Sequence, residues 1–156
     1  MINMCTLQEH QPAPQGDTQD TVPDLMHVGV YGSLRAGLHN NYLLRDAALV
    51  HTLLVRGIQL KCNAGAGFPY ATIPVARTGA AVVEVYDLQG DMDVLRNLDM
   101  LEGHPRWYVR TKCTVDNEVT PNFWLYTQPE EALDHLLNVP DGNWTAYYTG
   151  RSRVYA

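Results

Sequence analysis

The chain has 156 residues, 46% of them hydrophobic, and a formal net charge of −6 from 11 Lys and Arg against 17 Asp and Glu. This length fits one domain with a buried core. The scattered basic residues argue against a nucleic-acid partner, which needs clustered cations to neutralise phosphates. No apolar run approaches the roughly 18 residues of a membrane-spanning helix, and the N-terminal stretch lacks the basic start and apolar run of a signal peptide. A cytoplasmic location without membrane attachment is therefore expected.

Cys5, Cys62 and Cys113 are odd in number, widely spaced and form no CxxC pair, which fits free thiols in a reducing compartment. The six histidines make no HxH or HxxxH pair, so a structural metal is not expected. The acidic chain shows no obvious exposed apolar stripe, which leaves a monomer, or at most a weak homodimer, as the expectation.

Residues 1–24 read as a flexible tail, because Pro12, Pro14, Gly16 and Pro23 interrupt any periodicity. A single ordered domain is expected over 25–156. Met26 to Tyr31, with Val28 and Val30, reads as a buried first strand ending at Gly32. Asn40 to Val50 reads as a short helix or ordered turn, and Leu53 to Cys62 as a second strand. Ala64 to Ala71 is punctuated by Gly and Pro as a loop, and Ala81 to Tyr86 is a β-branched strand.

From Asp91 to Leu101, Val94, Leu95, Leu98 and Leu101 recur at helical spacing. Asp91 is a natural N-cap, and Gly103 and Pro105 stop the helix. Tyr108 to Val115 and Asn122 to Thr127 are further strands, Pro129 to Leu137 another short helix, and the stretch beyond Asp141 reads as aromatic and turn-like. Strands in adjacent runs with few helices imply an α+β domain. Its sheet would be small, mixed and mainly antiparallel, β-barrel-like and flanked by short helices.

Two places carry candidate chemistry. The first is Tyr31-Gly32-Ser33-Leu34-Arg35-Ala36-Gly37, a sharp loop after a strand whose free N–H groups suit a carboxylate or a developing oxyanion. A plain strand-ending turn is the alternative. Leu38 and His39 stand where a phosphate-binding loop needs Lys and Ser or Thr, and Ser33 sits in no GxSxG elbow.

The second is Glu102, four residues after Leu98 and seven after Leu95. That spacing sets a carboxylate on or beside an apolar face at the negative end of a helix dipole. Desolvation and dipole both raise a carboxyl pKa toward the range of a general acid or base. The alternative is a last-turn glutamate bending out to solvent. Asp99 reads as solvated. Glu84 alternates with Val83 and Val85, which puts it on the exposed face of a half-buried sheet, yet it remains the second carboxylate candidate. Trp107 with Tyr108, and Trp124 with Tyr126, suit core or rim packing, though a tyrosine hydroxyl in a cleft can orient a substrate. His104, between Gly103 and Pro105, reads as a loop residue.

Together these motifs resemble the γ-glutamylcyclotransferase-like family, including its γ-glutamylamine branch. Tyr31-Gly32-Ser33-Leu34, with Gly37 and Asn40, is similar to the family's first loop. Leu98-Asp99, Glu102-Gly103, Tyr108 and Arg110 are similar to its catalytic stretch. Phe68-Pro69-Tyr70-Ala71, Glu84-Val85-Tyr86 and Trp124-Leu125-Tyr126 resemble its remaining motifs, in order, over about residues 27 to 145. The chain departs from the pattern at Val83, where a glycine is usual, and at Gly142-Asn143-Trp144, where the family has Asp in the middle.

The resemblance implies a small-molecule γ-glutamyl substrate and intramolecular aminolysis to 5-oxoproline, with no metal or cofactor. Glu102 would be the catalytic acid/base, and Tyr31, Gly32, Ser33, Leu34, Tyr108 and Tyr126 would bind substrate. Glu84, Pro69 and Arg110 follow as a second tier. Removal of a γ-glutamyl group in a biosynthetic pathway, or ligand binding without turnover, would fit the same scaffold.

Overall fold

The computed structural model describes residues 5–7 and 26–154. In chain order the strands are β1 (Cys5–Leu7), β2 (His27–Val30), β3 (Ala48–Arg56), β4 (Gln59–Cys62), β5 (Tyr70–Thr72), β6 (Ala80–Asp87), β7 (Val109–Val115), β8 (Phe123–Thr127) and β9 (Leu137–Asn138). Helix α1 (Met92–Glu102) lies between β6 and β7, and α2 (Trp144–Val154) ends the described chain.

Six strands form one sheet in the order β1-β7-β8-β2-β6-β3, and β5-β4-β9 form a second. All pairings are antiparallel except β2 with β8, which run parallel through Val28 and Trp124. The domain is mixed α+β and mainly antiparallel, as the strand-rich sequence implies, but the sheets do not close into a barrel.

Strand β6 explains the architecture. Val83 and Val85 are fully buried with Ile58, Leu60, Phe123 and Trp144 on one side of the sheet. Tyr86, next along the strand, joins Val28, Val30 and Leu34, and Val94, Leu95 and Leu98 of α1, in a second core on the other side. With both faces covered, alternation along this strand separates two cores rather than core from solvent.

Several local expectations are corrected. Leu53 to Cys62 is not one strand: the chain turns between β3 and β4, which join different sheets. The end of the expected 64–71 loop pairs as β5, with Tyr70 opposite Lys61. The expected turn-like end is the helix α2, whose Asn143 Oδ1 accepts from Ala146 N at 3.2 Å in the manner of an N-cap. Asn40–Val50, expected as a short helix or ordered turn, holds a 3-10 turn at Asn41–Leu44 before β3 begins at Ala48, and the helix expected at Pro129–Leu137 reduces to a 3-10 turn at Glu130–Leu133. Cys5–Leu7, inside the stretch expected to be a tail, pairs with Cys113 to Val115 as a sheet edge. The rest of that stretch lies outside the described residues.

Candidate active site

Helix α1 starts where Asp91 accepts from the Asp93 N–H, and it buries Val94, Leu95 and Leu98. Gly103 ends it in the left-handed conformation, φ 64°, with its N–H directed at the carbonyls of Asp99 and Met100. Glu102 is therefore the last helical residue, one turn beyond buried Leu98. The chain then folds back so that Tyr108 N–H donates to the Glu102 carbonyl at 3.2 Å. Sequence neighbours six apart are thereby brought to one wall.

The opposing element is the loop after β2. Arg35 N–H donates to the Gly32 carbonyl at 2.9 Å and Asn40 N–H to the Ser33 carbonyl at 3.0 Å. Asn40 Nδ2 also reaches Ser33 Oγ at 2.9 Å. Gly32 is required by contact: a Cβ there would lie 2.6 Å from Pro69 Cδ. Among the described residues, the N–H groups of Ser33 and Leu34 make no hydrogen bond to a backbone carbonyl.

Between these walls lies a cavity of ≈ 230 Å³. Tyr31, Gly32, Ser33, Leu34, Pro69, Glu102, Tyr108 and Tyr126 all line it, so the first loop and the helix end, 68 residues apart from Leu34 to Glu102, share one space. Burial raises the Glu102 carboxyl from its ordinary 4.5 to about 7. Tyr31, Tyr108 and Tyr126 are raised as well, mainly by burial, so all three keep their protons near neutral pH. Tyr31 Oη donates to the Tyr126 carbonyl at 2.6 Å, Tyr108 Oη to the Pro69 carbonyl at 3.4 Å, and Tyr126 Oη to Asp99 Oδ1 at 2.7 Å.

Glu84 and Arg110 stand behind the cavity, not on its wall. Glu84 is 5% exposed, which corrects its placement on an open sheet face. The loop carrying Arg35 covers that face. Arg35 Nε donates to Glu84 Oε2 at 2.7 Å, and Ala36 N–H and Tyr86 Oη donate to Oε1 at 2.8 and 3.1 Å. Both oxygens of this carboxylate are engaged by the loop and by Tyr86, so it holds the loop in place.

Asp99 is likewise not solvated as expected. Arg110 Nε lies 2.8 Å from its Oδ1, close in distance but not aligned as a hydrogen bond, and the guanidinium stacks 4.8 Å over Trp124. His104 accepts the Arg110 N–H at Nδ1, 3.1 Å. Burial, then the nearby Arg110 charge, lowers its pKa.

Sequence reasoning quoted Arg35 and Asn143 in their motifs but gave neither a role. Arg35 Nη1 reaches Asn143 Oδ1 at 2.9 Å, tying the loop to the start of α2. The signal was a lone arginine inside a binding loop, whose partners are 49 and 108 residues away. Among the described residues no group of His, Cys, Asp and Glu is arranged to hold a metal ion, and no helix is long and apolar enough to cross a membrane.

A small mixed sheet thus sets a helix-end carboxyl, Glu102, across one cavity from a strand-end loop. The chain belongs to the gamma-glutamyl cyclotransferase, AIG2-like family, which it matches over residues 28–146. A Methanocaldococcus jannaschii protein, MJ1514, provisionally named a gamma-glutamylcyclotransferase, is 32% identical over 108 residues, covering 67% of this chain and 85% of its own. Among solved structures, PH0828 from Pyrococcus horikoshii aligns with a TM-score of 0.64 at 18% identity, over 84% of this chain and 99% of that one. An AIG2-like protein of Mus musculus aligns with a TM-score of 0.52 at 20% identity, over 77% and 94%. These two likenesses show the fold.

Proposed function

We propose that the chain is a cyclotransferase that converts a γ-glutamyl amine or peptide to 5-oxoproline and the free amine, with Glu102 as general acid and base. One observation carries the reading: a carboxyl raised to about 7 lines the same cavity as Ser33 and Leu34 of the strand-end loop. A group of that pKa is half ionised near neutral pH, where it takes and returns a proton with equal ease.

In the reaction, the α-nitrogen of the γ-glutamyl group attacks its own γ-carbonyl carbon. As that N–C bond forms, Glu102 takes a proton from the attacking nitrogen. The tetrahedral oxyanion or the substrate carboxylate accepts from the Ser33 and Leu34 N–H groups. The amide C–N bond then breaks, Glu102 passes its proton to the departing nitrogen, and the amine leaves. Substrate atoms are fully accounted for by 5-oxoproline plus amine, and no water is consumed. Nucleophile and electrophile belong to one molecule, so the site's task is to hold a ring-closing conformer. The fixed, protonated tyrosines Tyr31, Tyr108 and Tyr126 suit that task.

The experiment incubates wild type and Glu102→Gln with γ-glutamyl-ε-lysine, γ-glutamyl-alanine and glutathione, and quantifies 5-oxoproline. Release by the wild type, reduced at least about a hundredfold in the variant, supports the reading. No release from any γ-glutamyl compound, or equal release by both proteins, overturns it.

A further inference from the structure

The remaining wall of the cavity is aromatic and uncharged. Phe68, Trp107 and Tyr108 line it beside Glu102, and their rings join through Tyr70. Phe68 meets Tyr70 edge-on at 5.5 Å, Tyr70 stacks on Tyr108 at 5.9 Å, and Tyr108 meets Trp107 at 6.0 Å. The two outer rings are open to solvent, Trp107 57% and Phe68 40% exposed. Two large apolar side chains held on one cavity wall and left uncovered are surface that a bound group would shield from water.

Charge is missing from the same wall. Among the described residues lining the cavity there is no Lys or Arg. Behind the cavity, Arg35 is paired with Glu84 and Arg110 with Asp99; Arg106, next to Trp107, is exposed and is not among the lining residues. The one imidazole there, His39, belongs to the loop of Ser33 and Asn40, the end that would hold the γ-glutamyl part. A carboxylate on the departing amine would thus enter without a cation and beside Glu102. Nor do the rings form a cage for a second ammonium: Tyr70 and Tyr108 turn their faces on each other, 17° from parallel.

Resting on the cyclotransferase reading, we infer that the amine released is neutral apart from its reacting nitrogen: a primary amine bearing an aromatic or bulky aliphatic group, with no carboxylate and no second ammonium. Phe68 and Trp107 are its specificity residues.

The test compares kcat/KM for 5-oxoproline release from γ-glutamyl methylamide, γ-glutamyl benzylamide, γ-glutamyl-ε-lysine and glutathione. Benzylamide is expected to exceed the other three by about tenfold or more. Trp107→Ala, at an exposed position that a shortened side chain does not unfold, is expected to lower the benzylamide-to-methylamide ratio by about tenfold. Methylamide turnover with no benzylamide advantage, preference for either charged substrate, or an unchanged ratio in Trp107→Ala overturns the specificity and leaves the cyclotransferase reading standing. No release from any of the four overturns both.

Discussion

Arg35 and Glu84 form an ion pair at 2.7 Å with both side chains almost fully buried. It fixes the loop that lines the cavity, because the same carboxylate also holds Ala36 N–H. Removing one partner leaves a buried charge uncompensated, at a cost of about 3–5 kcal/mol, whereas removing both does not. Urea unfolding of Glu84→Gln, Arg35→Met and the double variant is expected to show a double variant more stable than the sum of its parts, by about 2 kcal/mol or more. Additive losses would mean the pair is not coupled.

Gly32 sits against Pro69 with room for no side chain. In Gly32→Ala the new methyl would fall 2.6 Å from Pro69 Cδ and 2.8 Å from Cγ. A proline ring has little freedom to move aside, so the loop must shift. The expected outcome is a loss of about 1–3 kcal/mol in thermal or urea unfolding, together with loss of ligand fit in the cavity. Wild-type stability and activity in Gly32→Ala would place the loop further from Pro69 than described.

The raised Glu102 carboxyl has a stability consequence whose sign is fixed. Its folded value of about 7 lies above the ordinary 4.5, so between those pH values the folded state binds more proton than the unfolded state. Stability from this group is fully present below about 4.5 and is lost as pH rises through about 7. Glu102→Gln cannot ionise and escapes that loss. It should therefore match the wild type near pH 4.5 and exceed it at pH 8 by at most about 3 kcal/mol. A variant less stable than wild type at pH 8 would contradict a desolvated carboxyl.

Tyr31 donates from within the core to the Tyr126 carbonyl at 2.6 Å. Tyr31→Phe leaves that carbonyl without this donor and is expected to cost about 1–2 kcal/mol in unfolding free energy. A neutral substitution would show that another donor replaces it.

Much of the fold was legible in the sequence because local signals there agreed with the tertiary outcome. Asp91, the Val94, Leu95 and Leu98 spacing, and Gly103 delimit α1 to within a residue. What was illegible depended on distant cover. Period-2 alternation separates the two faces at Glu84 but is silent on whether a loop 49 residues away closes over one of them. Asp99 read as solvated because Tyr126 and Arg110, its partners, come from strands that no helical period reveals. The α2 segment has no apolar stripe. Its helix rests on the Asn143 cap and on Trp144 packed against the Tyr147 and Tyr148 rings. Strand β5 is three residues long and exists only through pairing with β4.

The central claim is that Glu102 moves the proton, and the pH dependence of kcat/KM tests it most directly. Measured from pH 5 to 9 with γ-glutamyl methylamide, the wild-type profile should rise with pH and break at an apparent pKa near 7, the value the buried carboxyl carries. The residual activity of Glu102→Gln should show no break there. A wild-type profile without a break near 7, or the same break retained in Glu102→Gln, would contradict the account.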